Sequence, residues 1–141
     1  MRGVTLPEAI TVLVLIGLVG SVAIHPMGHA LDRAAVAEGA QRYAAMFETA
    51  RAFAIARARQ ARLDLDTATR AVTIALRRDT GGWDTVDQRP LGRSRVSATQ
   101  TVVTFSSLGV ALGLSNGRLV FSSGSSADTL TISRTGRLKR P

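Results

Sequence analysis

Gly-Val-Thr-Leu-Pro-Glu occupies residues 3–8, and the apolar run Ala9–Ile24, which holds no charged side chain, follows it directly. At a rise of 1.5 Å per residue, a helix over residues 4–24 covers roughly 30 Å, the thickness of one bilayer hydrocarbon core. Glu8 is the exception within this segment. A carboxylate in a membrane helix costs roughly 2.5–3.5 kcal/mol at mid-depth and less near the end. A charge in this position therefore predicts a function and needs a partner.

A partner for Glu8 arises if the chain is cut after Gly3. Val4 would then carry a free α-ammonium within reach of the carboxylate, on the same chain or on a neighbouring copy, and the pair would neutralise two charges in an apolar setting. The motif and the apolar run together resemble the cleavage and methylation site of type IV pilins and type II secretion pseudopilins. Val4 stands where that family usually has Phe or Met, and Pro7 where it has Ile or Leu. Proline is tolerated in a first helical turn, because its missing N–H has no intrahelical partner there.

The resemblance implies a sequence of processing and assembly steps. A prepilin peptidase would cut between Gly3 and Val4, the new N-terminus at Val4 would be methylated, and Glu8 would guide assembly into a filament. The implied partners are other pseudopilins or minor pilins, the prepilin peptidase, an inner-membrane assembly platform and the lipid bilayer. The implied location is the bacterial inner membrane, with a single-pass helix and a periplasmic C-terminal domain.

Two other interpretations of the N-terminus stay open. Gly28-His29-Ala30 could serve as the small-x-small cleavage site of an ordinary secretory signal peptide, although Glu8 leaves the segment before the apolar run without a clearly positive charge. A plain membrane anchor with an incidental glutamate is the other. The pilin-like motif is favoured because its spacing is specific and it lies close to Met1.

The composition is that of one small basic domain joined to the N-terminal helix. The chain has 141 residues, no cysteine and a formal net charge of +8, and Lys139 is the only lysine among the cationic side chains. A basic chain indicates acidic partners such as nucleic acid, anionic lipid or an acidic subunit. Because the arginines are scattered along the sequence, a basic surface that is simply solvated is the favoured interpretation. Aromatic residues make up 4% of the chain, which argues against a base-stacking platform.

We predict no enzymatic activity, no cofactor and no metal site. His25 and His29 have the four-residue spacing of two ligands on one helical face, but Pro26 and Gly28 disfavour a helix there. Residues 113–117 match the Gly-x-Ser-x-Gly pattern of hydrolases. That pattern needs a preceding strand and a later histidine, and both histidines lie upstream.

The remaining chain predicts a long helix followed by antiparallel strands. We expect a leader over residues 1–3, a transmembrane and assembly helix over 4–30, and a periplasmic domain over 31–141, whose amphipathic helix spans 31–62. The predicted helix continues from the membrane segment as one long bent rod. Its apolar face recurs at helical spacing and consists of Val36, Tyr43, Phe47, Ala50 and Ala54.

After residue 62 the apolar residues no longer recur at helical spacing but at every second position, as in a strand. Residues 62–66 and 71–77 alternate around a turn and predict a hairpin, and further strands are predicted over 101–105, 118–121 and 129–133. Residues 87–95 contain Pro90 and Gly92 and are predicted to be loop, and residues 136–141 to be a tail. One N-terminal helix followed only by strands is an α+β fold, here pilin-like, with the long helix packed on an antiparallel sheet domain.

The C-terminal half narrows the resemblance. The Ala/Arg-rich helix end, the element Phe105-Ser106-Ser107-Leu108-Gly109 and a last strand closing on Gly136-Arg137 are similar to the GspH/FimT group of minor pseudopilins and minor pilins. That similarity implies a structural subunit of a type II secretion pseudopilus, acting in protein secretion across the outer membrane.

The alternative is a type IV pilus minor pilin that binds DNA for uptake in natural transformation. The basic tail motivates it: DNA-uptake minor pilins carry a Gly-Arg-x-Arg ending, which this chain resembles. The candidate phosphate contacts are Arg134, Arg137, Lys139 and Arg140.

Overall fold

One helix runs through the first third of the molecule. The computed structural model describes residues 5–113 and 116–140, with the side chains of residues 19–26 left out of the description. The helix α1 spans Leu6–Ala56, 51 residues or about 75 Å. It begins after Thr5, whose backbone is extended, and Pro7 lies in the first turn, where a missing N–H costs nothing. The predicted single rod is confirmed, since the helix continues through residues 25–28. The expectation that Pro26 and Gly28 disfavour a helix at this point is wrong.

The helix ends earlier than predicted, at Ala56 and not at residue 62. Ala58 adopts a left-handed backbone with φ of 50°, and the N–H of Arg59 donates to the carbonyl of Ala54. The reason is tertiary. Ala61 is already fully buried as the first residue of a strand with two neighbours, so the chain has to leave the helix before it.

In the described residues, nine strands follow the helix and form two antiparallel sheets. Their bounds are β1 Ala61–Asp66, β2 Ala71–Arg77, β3 Trp83–Pro90, β4 Arg95–Ala98, β5 Val102–Phe105, β6 Ala111–Leu112, β7 Gly117–Ser123, β8 Ser126–Ile132 and β9 Leu138–Lys139. The five-stranded sheet has the order β3-β2-β1-β5-β6, and the four-stranded sheet the order β4-β7-β8-β9. The predicted α+β fold, a long helix on antiparallel sheets, is confirmed.

The predicted hairpin and the three later strands are also confirmed. Strands β1 and β2 pair from Ala61 with Leu76 to Asp66 with Ala71, and β5, β7 and β8 cover the other predicted segments with small shifts at their ends.

Two segments predicted as irregular are strands. Residues 87–90 belong to β3, and residues 138–139 of the tail form β9. Pro90 is compatible with β3 because that strand lies at the edge of its sheet. An edge strand pairs on one side only, so the N–H that proline lacks is not needed on the other side. Strand β9 forms because β8 offers it a free edge, which local sequence does not reveal.

The helix joins the two sheets through one aromatic seam. The predicted apolar face is buried, and Ala40 and Met46 join it. The Tyr43 ring lies 6.3 Å from that of Phe121 in the four-stranded sheet. The Phe47 ring lies 5.0 Å from that of Phe105 in the five-stranded sheet, edge to face. A single core therefore fixes both sheets on the C-terminal half of α1, whereas residues 6–18 near its N-terminus are exposed.

Candidate functional site

Residues 6–18 of α1 form an apolar rod that is exposed in this structure. Every described residue from 5 to 18 is exposed, and the large apolar side chains among them are 50–78% exposed. Most large apolar side chains of the domain are instead buried in its core, and the exposed ones there are isolated or in short groups. Such a surface is unfavourable in water and requires lipid or other helices around it.

Glu8 lies in the first turn of this rod and is exposed. A carboxylate there interacts favourably with the positive end of the helix dipole. Nearby backbone polarity is satisfied locally, since the Thr11 hydroxyl donates to the carbonyl of Pro7 over 2.8 Å. The predicted cleavage and methylation positions, Gly3 and Val4, lie outside the described residues.

The predicted membrane span over residues 4–30 also falls partly outside the description, at residue 4 and at the side chains of residues 19–26. Within the described part of the chain, no helix combines the length and the apolarity needed to cross a membrane.

The four cations predicted as one basic tail patch are divided by the structure. Arg140 Nη2 lies 2.6 Å from Asp128 Oδ2 and forms an ion pair. Successive residues of a strand point to opposite faces, so Arg140 and Lys139 leave the sheet on different sides. Arg140 is therefore exposed but paired with Asp128, which makes it less available to an anion than the cations without a carboxylate partner.

Lys139 is instead joined by a residue that the sequence analysis missed. Arg118 on β7 pairs with Thr131 on β8, and Thr131 pairs with Lys139 on β9. All three are exposed and form one row across the outer face of the four-stranded sheet. At about 4.8 Å between strands, the backbones of Arg118 and Lys139 are about 10 Å apart. Only the strand register, not the distance of 21 residues along the chain, could have revealed this pair.

Arg134 and Arg137 lie on the tight turn between β8 and β9. The N–H of Ser133 donates to the carbonyl of Arg137 over 2.9 Å, and the N–H of Arg137 donates to the Ser133 hydroxyl over 3.1 Å. Both arginine side chains are exposed, and neither forms an ion pair within the described residues. The turn therefore presents two free cations beside the row of Arg118 and Lys139.

The positive charge as a whole is concentrated in the four-stranded sheet. Residues 93–99 and 116–140 contain seven cationic side chains and one carboxylate, Asp128, which Arg140 occupies. In the five-stranded sheet and its turns, four arginines have aspartate partners: Arg59 with Asp79, Arg62 with Asp64, Arg78 with Asp84 and Arg89 with Asp87. The arginines are scattered along the sequence, but the carboxylates are distributed differently. Five of the ten are aspartates of the five-stranded sheet and its turns, and one is in the four-stranded sheet, so the unpaired positive charge is greatest on the latter.

The outer face of the four-stranded sheet is polar and flat. Among its described residues no carboxylate occurs, and the members are Arg95, Ser97, Arg118, Val120, Ser122, Ala127, Thr129, Thr131 and Lys139. We call this surface the basic face. Its hydroxyls and guanidinium groups are donors suited to phosphate or carboxylate oxygens.

The described residues show no donor set for a metal ion. No group of three His, Cys, Asp or Glu side chains comes together among them. His29 Nδ1 lies 3.2 Å from the Ser125 hydroxyl, and so has a structural partner at the tip of the β7–β8 hairpin.

Comparison with known proteins identifies the family of this chain. Residues 39–136 match the family described as Type II transport protein GspH. The chain belongs to the GspH family. A search of curated proteins finds no significant sequence match.

Solved structures agree on the fold. The type IV minor pilin FimU of Pseudomonas aeruginosa superposes with a TM-score of 0.63 at 15% identity, over 75% of this chain and 87% of that one. The minor pseudopilin EpsH of the Vibrio cholerae type 2 secretion system gives a TM-score of 0.61 at 16% identity, over 75% of this chain and 95% of that one. The pilin-like fold and the membership of the pseudopilin and minor pilin group are thereby confirmed. A secretion pseudopilin and a pilus subunit match about equally well.

Proposed function

We propose that this GspH-family chain is a minor pseudopilin, a non-catalytic structural subunit of a type II secretion pseudopilus. The N-terminal half of α1 holds the chain in the inner membrane before assembly and packs among neighbouring helices afterwards. The domain that follows lies in the periplasm and contacts other pseudopilins, while a prepilin peptidase and an inner-membrane assembly platform act on the helix.

The exposed apolar rod is the observation that carries this proposal. A run of side chains that are at least half exposed over residues 10–18 cannot be stable in water as a monomer. Lipid before assembly and neighbouring helices after it are two environments that bury the same surface. The movement between them therefore requires little change in the burial of apolar area.

Glu8 supplies the specificity of assembly. Cleavage after Gly3 exposes the α-ammonium of Val4, which methylation leaves charged, and a neighbouring subunit offers its Glu8 as the counter-charge. In an apolar environment an unpaired carboxylate is costly, so the filament register that forms the pair is strongly preferred.

The test compares Glu8→Ala with Glu48→Ala, a matched change at an exposed glutamate of the same helix that forms no ion pair among the described residues. Glu8→Ala should insert and be processed normally but fail to enter filaments, whereas Glu48→Ala should assemble. Mass spectrometry of the mature protein should show a chain that begins at a methylated Val4. Filaments of normal composition with Glu8→Ala, or a mature chain that begins at Met1 or near Ala30, would refute the proposal.

A second candidate function, a minor pilin that captures DNA for uptake, is favoured by the basic face. Four exposed cations have no ion-pair partner among the described residues: Arg118 and Lys139 on the basic face, and Arg134 and Arg137 on the adjoining β8–β9 turn. On duplex DNA, each phosphate contact makes the slope of log affinity against log salt more negative by about 0.9.

Binding of duplex DNA across a salt series tests this candidate. Changing Arg118, Arg137 and Lys139 to Ala removes about three phosphate contacts, so the negative slope should become shallower by roughly 2.7. Changing Arg59 and Arg78, which have aspartate partners in the other sheet, should leave it unchanged. Equal slopes for the two variants would exclude the basic face as a DNA site.

A further inference from the structure

A cleft at the opposite end of the basic face, away from the tail, has the features of a phosphate site. It has a volume of about 400 Å³ and is lined by Arg93, Arg95, Ser122, Ser123 and Gly124. Arg95 and Ser122 are paired residues on β4 and β7, so a guanidinium and a hydroxyl stand side by side on the same face. Together they provide charged and neutral donors for one tetrahedral anion.

The two arginines of the cleft have no counter-charge of their own. Both are exposed, and neither forms an ion pair among the described residues. A third guanidinium lies near the cleft without lining it, since Arg70 Nη1 donates to the backbone carbonyl of Arg93 over 3.1 Å. Three like charges repel one another, so an anion bound between them would relieve this repulsion.

The cleft is fixed to one place on the helix. Ser123 donates to Asp32 Oδ1 over 2.7 Å, and Ser125 contacts His29. Gly124, with φ of 50°, lies so close to the Asp32 carboxylate that no side chain would fit between them. The hairpin tip that forms one wall of the cleft is therefore clamped on residues 29–32 of α1.

This position lies at the outer edge of the lipid headgroup layer and just beyond it. His29 and Asp32 follow the last residue of the apolar run, Ile24, by five and eight residues, or about 7.5 and 12 Å along the helix. The headgroup layer extends about 5–8 Å beyond the hydrocarbon on each side. If the apolar run spans the bilayer, as the proposed function requires, long arginine side chains at the cleft reach the phosphates.

We infer that the cleft formed by Arg93, Arg95 and Ser122 binds the phosphate of an anionic phospholipid and holds the domain against the membrane before assembly. The inference rests on the proposed function. Leaving the membrane breaks these contacts, so the site acts only on the unassembled subunit. At about fivefold per basic residue near an anionic surface, the two arginines together favour the docked domain roughly 20–30-fold.

The experiment uses the full chain in lipid nanodiscs. Because the sequence has no cysteine, Ala127→Cys, which lies opposite Ser122, provides a single labelling site for a fluorophore. Quenching by a headgroup nitroxide lipid measures how close the cleft lies to the bilayer. Quenching should be strong in discs that contain phosphatidylglycerol and weak in phosphatidylcholine alone, and raising the salt should reduce it.

Matched variants identify the arginines. Arg93→Gln with Arg95→Gln should lower quenching in phosphatidylglycerol discs to the phosphatidylcholine level. Arg51→Gln with Arg57→Gln removes the same charge at the far end of α1 and should change nothing, since neither side chain forms an ion pair in the described structure. Added inorganic phosphate should compete no better than chloride of equal ionic strength.

Each other outcome overturns the inference. Equal quenching in the two lipids, or an equal loss in both double variants, excludes a lipid site at the cleft while the inserted helix stands. Displacement by inorganic phosphate, or by duplex DNA at equal ionic strength, assigns the cleft to a soluble anion. A chain that does not co-purify with nanodiscs at all refutes the proposed function itself.

Discussion

Gly39→Ala tests how closely the four-stranded sheet approaches the helix. A methyl group at Gly39 would overlap the Ser94 hydroxyl and lie 3.0 Å from Phe121 Cδ1 and 3.3 Å from the carbonyl oxygen of Leu91. Ser94 is fully buried, so it has little room to move. Overpacking of this kind costs about 1–3 kcal/mol, and we expect the upper end because three neighbours are involved. The better helix propensity of alanine returns about 1 kcal/mol, which leaves a loss of about 2 kcal/mol in the free energy of unfolding.

Thermal unfolding of the detergent-solubilised chain, followed by circular dichroism, measures this loss. At about 4 °C per kcal/mol, Gly39→Ala should lower Tm by about 8 °C. Gly28→Ala is the matched control, because nothing lies within 4 Å of its added methyl group, and its Tm should stay equal or rise.

Ser94→Ala, combined with Gly39→Ala, completes a double-mutant cycle. The Ser94 hydroxyl is buried without a hydrogen-bond partner among the described groups, so its removal should be neutral or stabilising. The same change should also restore most of the stability lost in Gly39→Ala, because it removes the worst overlap. A Gly39→Ala protein as stable as the parent, or a double variant with no recovery, would refute the packing derived for this contact.

Three further changes test the helix end and two ionisable groups. Ala58→Gly should raise Tm by about 2–4 °C, because Ala58 has φ of 50° and glycine relieves about 0.5–1 kcal/mol of net backbone strain. Burial raises the pKa of Tyr43 far above its usual value, so the contribution of Tyr43 to the free energy of unfolding should be constant below about pH 10 and fall as the pH rises further. Tyr43→Phe should abolish this alkaline loss, and an unchanged alkaline profile would contradict it. Hydrogen bonds from Thr69 and from the N–H of Ala68 lower the pKa of Asp66 below 3.8, so its contribution is present above that pH and is lost as the pH falls through the lower, folded-state pKa. The Asp66→Asn protein should lack this part of the acid loss of unfolding free energy. If its stability has the same pH dependence as that of the parent, Asp66 makes no such contribution.

The charge of the chain shows how local and tertiary information differ. A net charge of +8 with arginines along the whole sequence favoured a uniformly basic, solvated surface. Aspartates in the strands and turns of the five-stranded sheet neutralise nearby arginines, often within a few residues, whereas the four-stranded sheet has one carboxylate. The scarcity of carboxylates after Asp87 is visible in the sequence, but which cations share a face is decided by strand register and could not be read from their order along the chain.

Local periodicity was sufficient to predict the buried face of the helix and the first hairpin. The helical spacing from Val36 to Ala54 predicted the buried face of α1, and strict alternation around Thr67–Thr69 predicted the first hairpin. These patterns work because burial on one face repeats at 3.6 or 2 residues, a property of a single segment. The N-terminal motif likewise predicted a rod that its own domain leaves uncovered.

The tertiary structure alone decided where these elements meet. The helix stops at Ala56 because Ala61 is needed in the middle of a sheet, and Lys139 faces Arg118 and turns away from Arg140 because β9 pairs with β8. The clamp between Asp32 and Ser123 joins residues 91 positions apart. Such contacts depend on strand register and on the packing of both sheets against one helix, and neither is encoded in the spacing of neighbouring residues.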